Sequence, residues 1–275
     1  MSAVGAPAGT RSTLKVTQGR VMRSEWTKLR SVRSTWWALL VAVVIMIGLG
    51  ALLSSITAGE FHTYSAADQA SFKPVKVGLA GFGFAHVAIG VLGVLVISGE
   101  YGTGMVRATL TAVPRRLPVL WGKLAVFAGA VFAVSLVSAF VSFFVSQALL
   151  NGEHIGVGIS APGALRSVIG AALYVTVAGL IGVALGTLLR NTTAGVSVFV
   201  GAFFVAPMIF TLLPASIGDH VNPYLPSNAG TAIFTGVDGQ NLDHTLSPWT
   251  GMAVLCGYAV VLIGAAAWRL RRTDV

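Results

Sequence analysis

The sequence predicts an all-α integral membrane protein with six transmembrane helices and both termini in the cytoplasm. Hydrophobic residues make up 55% of the 275 residues and charged residues only 10%, which is more apolar surface than a soluble domain of this length can bury. Six stretches without Lys, Arg, Asp or Glu are each long enough for the roughly 20 helical residues that cross a bilayer. The basic residues also concentrate on one side of these stretches, which fixes an orientation.

The six predicted spans cover residues 35–57, 77–99, 124–150, 167–189, 194–218 and 248–268. Unpaired backbone groups cost several kcal/mol in lipid, so runs of this length must be helices, whereas a closed barrel would show short alternating segments. Residues 1–15 are rich in Gly, Ala, Ser and Pro and predict a mobile tail. The rest of the chain, residues 16–275, is predicted to form one transmembrane domain.

The charge distribution orients the spans. Basic residues in short loops remain in the cytoplasm, and an inside N-terminus leaves only Lys73, Lys76 and Arg166 on the outer side. Most of the acidic residues fall on that outer side: Glu60, Asp68, Glu153, Asp219, Asp238 and Asp243. The net charge of +9 comes from short clusters beside the spans, which favours membrane lipids over nucleic acid as partners.

A basic leader precedes the first span. Its large apolar residues recur at helical spacing: Met22, Trp26, Leu29 and Val32. This pattern predicts an amphipathic interfacial helix over residues 18–33. A basic flank that only sets the topology explains the same residues equally well.

The longest cytoplasmic connection runs from Glu100 to Lys123 and reads EYGTGMVRATLTAVPRRLPVLWGK. Its apolar residues fall on one side of a helix: Met105, Val106, Leu110 and Val113. We expect a short surface helix over residues 103–113, ended by Pro114. From the residues alone, a helix resting on the membrane is favoured over one that docks a partner. Arg115 and Arg116 are suited to either lipid or protein contacts.

Two further segments predict how the spans are connected and packed. Only a few residues separate the fourth and fifth spans, so these helices must be antiparallel neighbours, and Ala178, Gly182 and Gly186 allow close approach of another helix. Prolines interrupt the apolar segment 213–247, which predicts short re-entrant outer helices between the fifth and sixth spans. An ordinary irregular loop is the alternative there.

The usual motifs of energy conversion and catalysis are missing from the sequence. There is no GxxxxGK[ST] phosphate loop and no HExxH or GxSxG motif, and the lone Cys256 cannot form an intramolecular disulfide. We therefore expect no catalytic residues, no metal and no cofactor in this chain. His86 is the one ionisable residue well inside a span, where an interhelical hydrogen bond is favoured over a proton relay.

Three strings carry a family resemblance: RSEWTKLRSVRSTWW in the leader, EYGTGMVRATLTAVPRR in the long cytoplasmic loop and YLPSNAG before the last span. Together they resemble permeases of the type-two ABC exporter family, especially actinobacterial members, over nearly the whole chain. The resemblance implies a homodimer or paired permease in the bacterial cytoplasmic membrane. It also implies a separate cytoplasmic ABC ATPase that carries ATP and Mg, and export of a drug, peptide, lipid or similar amphiphile.

The resemblance also implies which segments receive the movements of the ATPase. The leader around residues 25–33 looks like a connecting helix, and residues 100–116 look like a coupling region. The residues expected to take part in coupling are Glu25, Lys28, Arg30, Glu100, Tyr101, Arg107, Pro114, Arg115 and Arg116. No substrate-binding residue is predicted. A non-transporting anchor or sensor that recruits cytoplasmic partners is the alternative function.

Overall fold

The computed structural model describes residues 17–102, 116–235 and 246–272. This part of the chain contains six helices long and apolar enough to cross a membrane, which confirms the predicted all-α membrane fold. The α-helices are α1 Gln18–Ser31, α2 Arg33–Glu60, α3 Ala66–Ala70, α4 Pro74–Gly78, α5 Phe82–Gly102, α6 Arg116–Asn151, α7 Ala164–Leu189, α8 Thr192–Val200, α9 Ala206–Thr211, α10 Ala215–Val221, α11 Pro226–Thr235 and α12 Pro248–Arg272. We call the end of the bundle beside α1 the leader end and the opposite end the distal end.

Two span boundaries differ from the prediction at prolines. Helix α6 begins at Arg116 rather than near residue 124, because Pro118 lies in the first turn, where its missing N–H leaves no hydrogen bond unmade. The fifth span consists of α8, a π-helical stretch Gly201–Val205 and α9, and it ends at Thr211 instead of residue 218. Its early end follows from Pro214, which disfavours helical backbone in the preceding residue.

The spans differ widely in burial. Helix α7 lies at the centre, with 78% of its most apolar window buried, while only 17% is buried in the span formed by α8 and α9. Helix α5 packs along α7, and Gly182 of α7 faces the backbone of Gly90 so closely that a β-carbon would collide with it. The predicted close approach at the small residues of the fourth span is therefore confirmed.

The turn between α7 and α8 is as short as predicted. Arg190 takes a left-handed conformation with φ of 53°, and the Asn191 side chain accepts a hydrogen bond from the Ala194 N–H at 3.0 Å. Arg190 ends α7, and Asn191 caps the start of α8. The two helices are consequently antiparallel neighbours.

Helix α1 packs against the start of α6, but not through the apolar face that the sequence indicated. Val21 and Glu25 are the buried residues of α1, whereas Met22 and Trp26 are exposed by 38% and 48%. Gln18 Nε2 donates a hydrogen bond to the Pro118 carbonyl at 3.0 Å. The helix thus presents a partly polar face to the bundle and leaves its largest apolar side chains on the outside, as expected of an interfacial helix.

Short helices follow the fifth span at the distal end, as predicted. Helix α11 turns back into the bundle and packs on α7 and α12. Its residues Ile233 and Phe234 are buried, and Gly230 lies directly against the ring of Tyr174. Asn228 Nδ2 donates to the Asn222 carbonyl at 2.9 Å and so ties α11 to the turn before it.

Candidate functional site

Four charged side chains from three helices meet at the leader end of the bundle. Glu25 and Lys28 project from α1, Glu100 lies near the end of α5, and Lys123 lies in the second turn of α6. We call these four residues the ion cluster. It joins the leader helix to the two helices that flank segment 103–115.

Each lysine of the ion cluster contacts both carboxylates. Lys123 Nζ lies 2.8 Å from Glu25 Oε2 and 2.9 Å from Glu100 Oε1. Lys28 Nζ lies 2.7 Å from Glu25 Oε1 and 3.3 Å from Glu100 Oε1. Two positive and two negative charges therefore balance within the cluster.

The ion cluster is shielded from solvent to different degrees. The side chains of Glu25 and Lys123 are only 4% and 5% exposed, while those of Glu100 and Lys28 are 13% and 27% exposed. Buried charges need a paired partner, because desolvation of an unpaired ion costs several kcal/mol. Removal of the buried Lys123 or Glu25 therefore leaves unequal numbers of positive and negative charges in the cluster and weakens the joint between the three helices.

The contacts of the ion cluster shift the pKa values of Glu25 and Lys28, the two members that lie in the leader helix. Burial alone would raise the pKa of Glu25, but the charges and hydrogen bonds of Lys123 and Lys28 outweigh it and hold that pKa below its usual value. Burial alone would lower the pKa of Lys28, yet its contacts with Glu25 and Glu100 raise it. Both residues are therefore charged at neutral pH.

A cavity of about 460 Å³ lies beside the ion cluster. Glu25, Lys28, Glu100 and Lys123 form its charged wall, and Ser31, Ser34 and Thr35 also line it. The remaining wall is largely apolar and includes Leu29, Val32, Leu92, Leu95, Val96 and Val126. A space that is apolar over most of its surface and charged at one end suits an amphiphile.

The other residues predicted to take part in coupling lie elsewhere. Arg30 is exposed, and its carbonyl accepts a hydrogen bond from Trp36 Nε1 at 2.9 Å. The Tyr101 ring lies 5.4 Å from the guanidinium carbon of Arg190 in a cation–π contact. Helix α6 begins at Arg116. The predictions for Arg107, Pro114, Arg115 and the helix over residues 103–113 concern residues outside the described part of the chain.

Lys123 is the member of the ion cluster that the sequence did not predict as a site residue. It was counted only as one of the basic residues that set the topology. The available signal was its position, since Lys123 lies several residues inside a long helix and is followed directly by the third apolar run. A charge at such a position is costly unless it has a partner, and so it predicts an ion pair.

The buried His86 does not form the interhelical hydrogen bond that was favoured for it. Its ring packs between those of Tyr174 and Phe203, with centroid distances of 5.4 and 5.5 Å. Neither imidazole nitrogen bonds to a neighbouring helix within the described residues. Those residues also contain no group of three or more His, Cys, Asp or Glu that could hold a metal ion.

Comparison with known proteins places these features in a family. The family model described as "ABC-2 family transporter protein" matches residues 21–208, which is more than half of the chain and runs from α1 into α9. A search of curated proteins finds no match. All four residues of the ion cluster fall inside the matched region. The chain therefore belongs to the ABC-2 transporter family and is a multi-pass permease component of an ABC transporter, a role that implies association with an ABC ATPase subunit.

Proposed function

We propose that this chain forms the translocation pathway of an ATP-driven exporter in the bacterial cytoplasmic membrane. Its cargo is a drug, peptide, lipid or similar amphiphile. ATP and Mg bind to the separate ATPase, and this chain contributes no catalytic residue. The permease acts as a homodimer or with a second permease, and its leader end faces the cytoplasm.

The ion cluster is the observation that carries this proposal. Glu100 begins the region over residues 100–116 that resembles an ATPase-coupling region, and Lys123 lies seven residues after its end. Both residues contact Glu25 of the leader helix or its neighbour Lys28. Any displacement of the segment by an ATPase is therefore passed through charged contacts to α1, α5 and α6 together.

The cavity beside the cluster supports an amphiphilic cargo. Helices α1, α5 and α6 all contribute to its wall, so a movement of the ion cluster changes the shape of the space. An apolar ligand with a polar end would be bound in one arrangement and released in another. Alternating access requires a permease to bind its cargo in one arrangement and to release it in another.

The charge distribution supports a cytoplasmic leader end. The sequence pattern assigns every Lys and Arg except Lys73, Lys76 and Arg166 to the same side as the leader, as the positive-inside rule requires of a cytoplasmic face. The span formed by α8 and α9 supports a second permease copy. It is only 17% buried and exposes Phe204, Met208 and Ile209, which form an apolar face for a partner or for lipid.

Purification of the tagged permease from its native host tests the proposal first. We expect an ABC ATPase to co-purify in stoichiometric amount, and the reconstituted complex to show ATP turnover that an amphiphilic cargo stimulates. A preparation that contains no ATP-binding subunit, while a known ABC complex survives the same procedure, would contradict the proposal. An anchor or sensor would recruit a cytoplasmic partner without any ATP-dependent movement of an amphiphile.

A further inference from the structure

A second cavity, of about 290 Å³, opens at the distal end. It lies between the segment before α5, the loop before α7 and the end of α11. Lys73, Lys76 and Arg166 all line it, and these are the only Lys and Arg that the charge pattern assigns to the outer side. The described lining contains no Asp or Glu.

We propose that this distal pocket binds the phosphate of an anionic phospholipid headgroup. Lys73 and Lys76 both line this cavity, and an anion bound there relieves the repulsion between their two positive charges. Lysine ammonium groups and an arginine guanidinium are common partners of phosphate oxygens. The chemistry of the wall therefore selects a phosphate-bearing ligand.

Two carboxylates at the distal end, those of Glu153 and Asp68, are engaged in other contacts. Glu153 Oε2 lies 2.9 Å from His62 Nε2. Asp68 Oδ2 accepts a hydrogen bond from the Ser65 hydroxyl at 2.6 Å and forms part of the α3 cap. No ion pair among the described residues involves Lys73 or Lys76.

The position of the pocket favours a lipid over a soluble phosphate. Lys73 directly precedes the apolar stretch Pro74–Tyr101, and Arg166 is the third residue of α7, so both lie where a span meets the headgroups. Phe72, Val75, Val157 and Phe234 supply an apolar side to the same wall. The volume lies at the lower end of the range for ligand pockets, roughly 300 Å³, and fits a headgroup while the acyl chains remain in the bilayer.

Arg166 is held against the start of α7. Gly163 adopts a left-handed conformation with φ of 79°, and a β-carbon there would lie 3.1 Å from Arg166 Nη2. Arg166 also has another interaction in the chain, so its charge is not assigned to the phosphate. The two lysines are the groups that reach the phosphate.

Native mass spectrometry of the purified permease tests this proposal with three probes: dihexanoyl phosphatidylglycerol, dihexanoyl phosphatidylcholine and glycerol phosphate. We expect phosphatidylglycerol to bind most tightly, because it combines a net negative charge with an apolar part. The double substitution K73Q/K76Q should weaken its binding by about thirtyfold, at about 1 kcal/mol for each lysine near the membrane surface. The charge-preserving K73R/K76R should retain binding.

Two results would overturn the proposal. Unchanged phosphatidylglycerol binding in K73Q/K76Q would show that the lipid does not bind in this pocket. Glycerol phosphate binding as tightly as phosphatidylglycerol would identify a soluble phosphate as the ligand instead of a lipid. The experiment needs neither ATPase nor cargo, so its outcome is independent of the proposed export function, and equal thermal unfolding of the two double variants controls for folding.

Discussion

The two ends of the bundle use lysines in opposite ways. At the leader end Lys28 and Lys123 are paired with Glu25 and Glu100 within 3.3 Å, and Lys123 is almost completely buried. At the distal end Lys73 and Lys76 line a cavity whose described wall has no carboxylate. A lysine with internal partners stabilises one arrangement of helices, whereas Lys73 and Lys76 take part in no ion pair among the described residues and are expected to contribute less to stability. Substitutions at both ends test this difference.

The largest effect is expected from Lys123→Met, which breaks the leader-end pairs. It leaves the buried Glu25 and the partly buried Glu100 with Lys28 as their one lysine in the ion cluster, so we expect unfolding to become easier by about 3 kcal/mol or more. Lys76→Met is the matched distal control and should change stability by less than about 0.5 kcal/mol, since Lys76 is exposed. Thermal unfolding of both variants in the same detergent measures the difference. Equal losses would show that the two ends do not differ as described.

A smaller effect is expected from Glu25→Gln, which keeps the shape of the side chain and removes its charge. Loss of its charge-assisted hydrogen bonds should cost about 2 kcal/mol at neutral pH. Because the folded pKa of Glu25 is lowered, its contribution is complete above the usual carboxyl pKa and is lost as the pH falls through the folded value.

The stability advantage of the wild type over Glu25→Gln should therefore shrink under acid conditions. Unfolding curves from pH 7 downwards check this expectation. Lys28 has a raised pKa, so its own contribution persists to alkaline pH and is lost only above the usual lysine range. An advantage that grows as the pH falls would contradict the assigned ion pairs.

The contact of Tyr101 with Arg190 should contribute less than the ion cluster. The guanidinium carbon lies 5.4 Å from the ring centroid, and such contacts contribute about 0.5–1 kcal/mol. Tyr101→Leu removes the aromatic face and Tyr101→Phe preserves it, so only the first should lower the melting temperature measurably. Equal melting temperatures for the two variants would show that the contact of Tyr101 with Arg190 does not stabilise the leader end.

The smallest effect is expected at the exposed distal pair of His62 and Glu153. Their side chains are 76% and 39% exposed, and ion pairs at such positions contribute between nothing and about 1 kcal/mol. His62→Ala should shift the melting temperature by less than any substitution in the ion cluster. A shift as large as that of Glu25→Gln would mean that exposed distal charges are as important to folding as buried leader charges.

The sequence predicts the spans well, since lipid leaves long apolar runs no alternative to a helix. Their packing was predictable only where small residues recur, as at Gly182. The π-helical stretch Gly201–Val205 was not predicted, because a π-helix differs from an α-helix by a local change in hydrogen bonding that leaves the apolar pattern unchanged.

The ion cluster was predictable only in part. Glu25, Lys28 and Glu100 were named through the family resemblance, but nothing in the residues indicated that they meet. Their meeting depends on the rotation of α1 about its axis, which buries Glu25 and exposes Trp26, and on a pairing of Lys123 with a residue far away in the chain. The distal pocket likewise combines two loops whose convergence no local pattern specifies.

ATP-dependent access to the cavity beside the ion cluster tests the central claim most directly. In a Cys256→Ala background, Leu95→Cys places one thiol in the wall of that cavity, and its alkylation rate is measured in the ATPase complex without nucleotide and after trapping with ATP and vanadate. We predict a severalfold difference between the two states that disappears in Glu25→Gln, although the ATPase remains bound and hydrolyses ATP. The same nucleotide-dependent difference in Glu25→Gln would contradict a coupling role for the ion cluster.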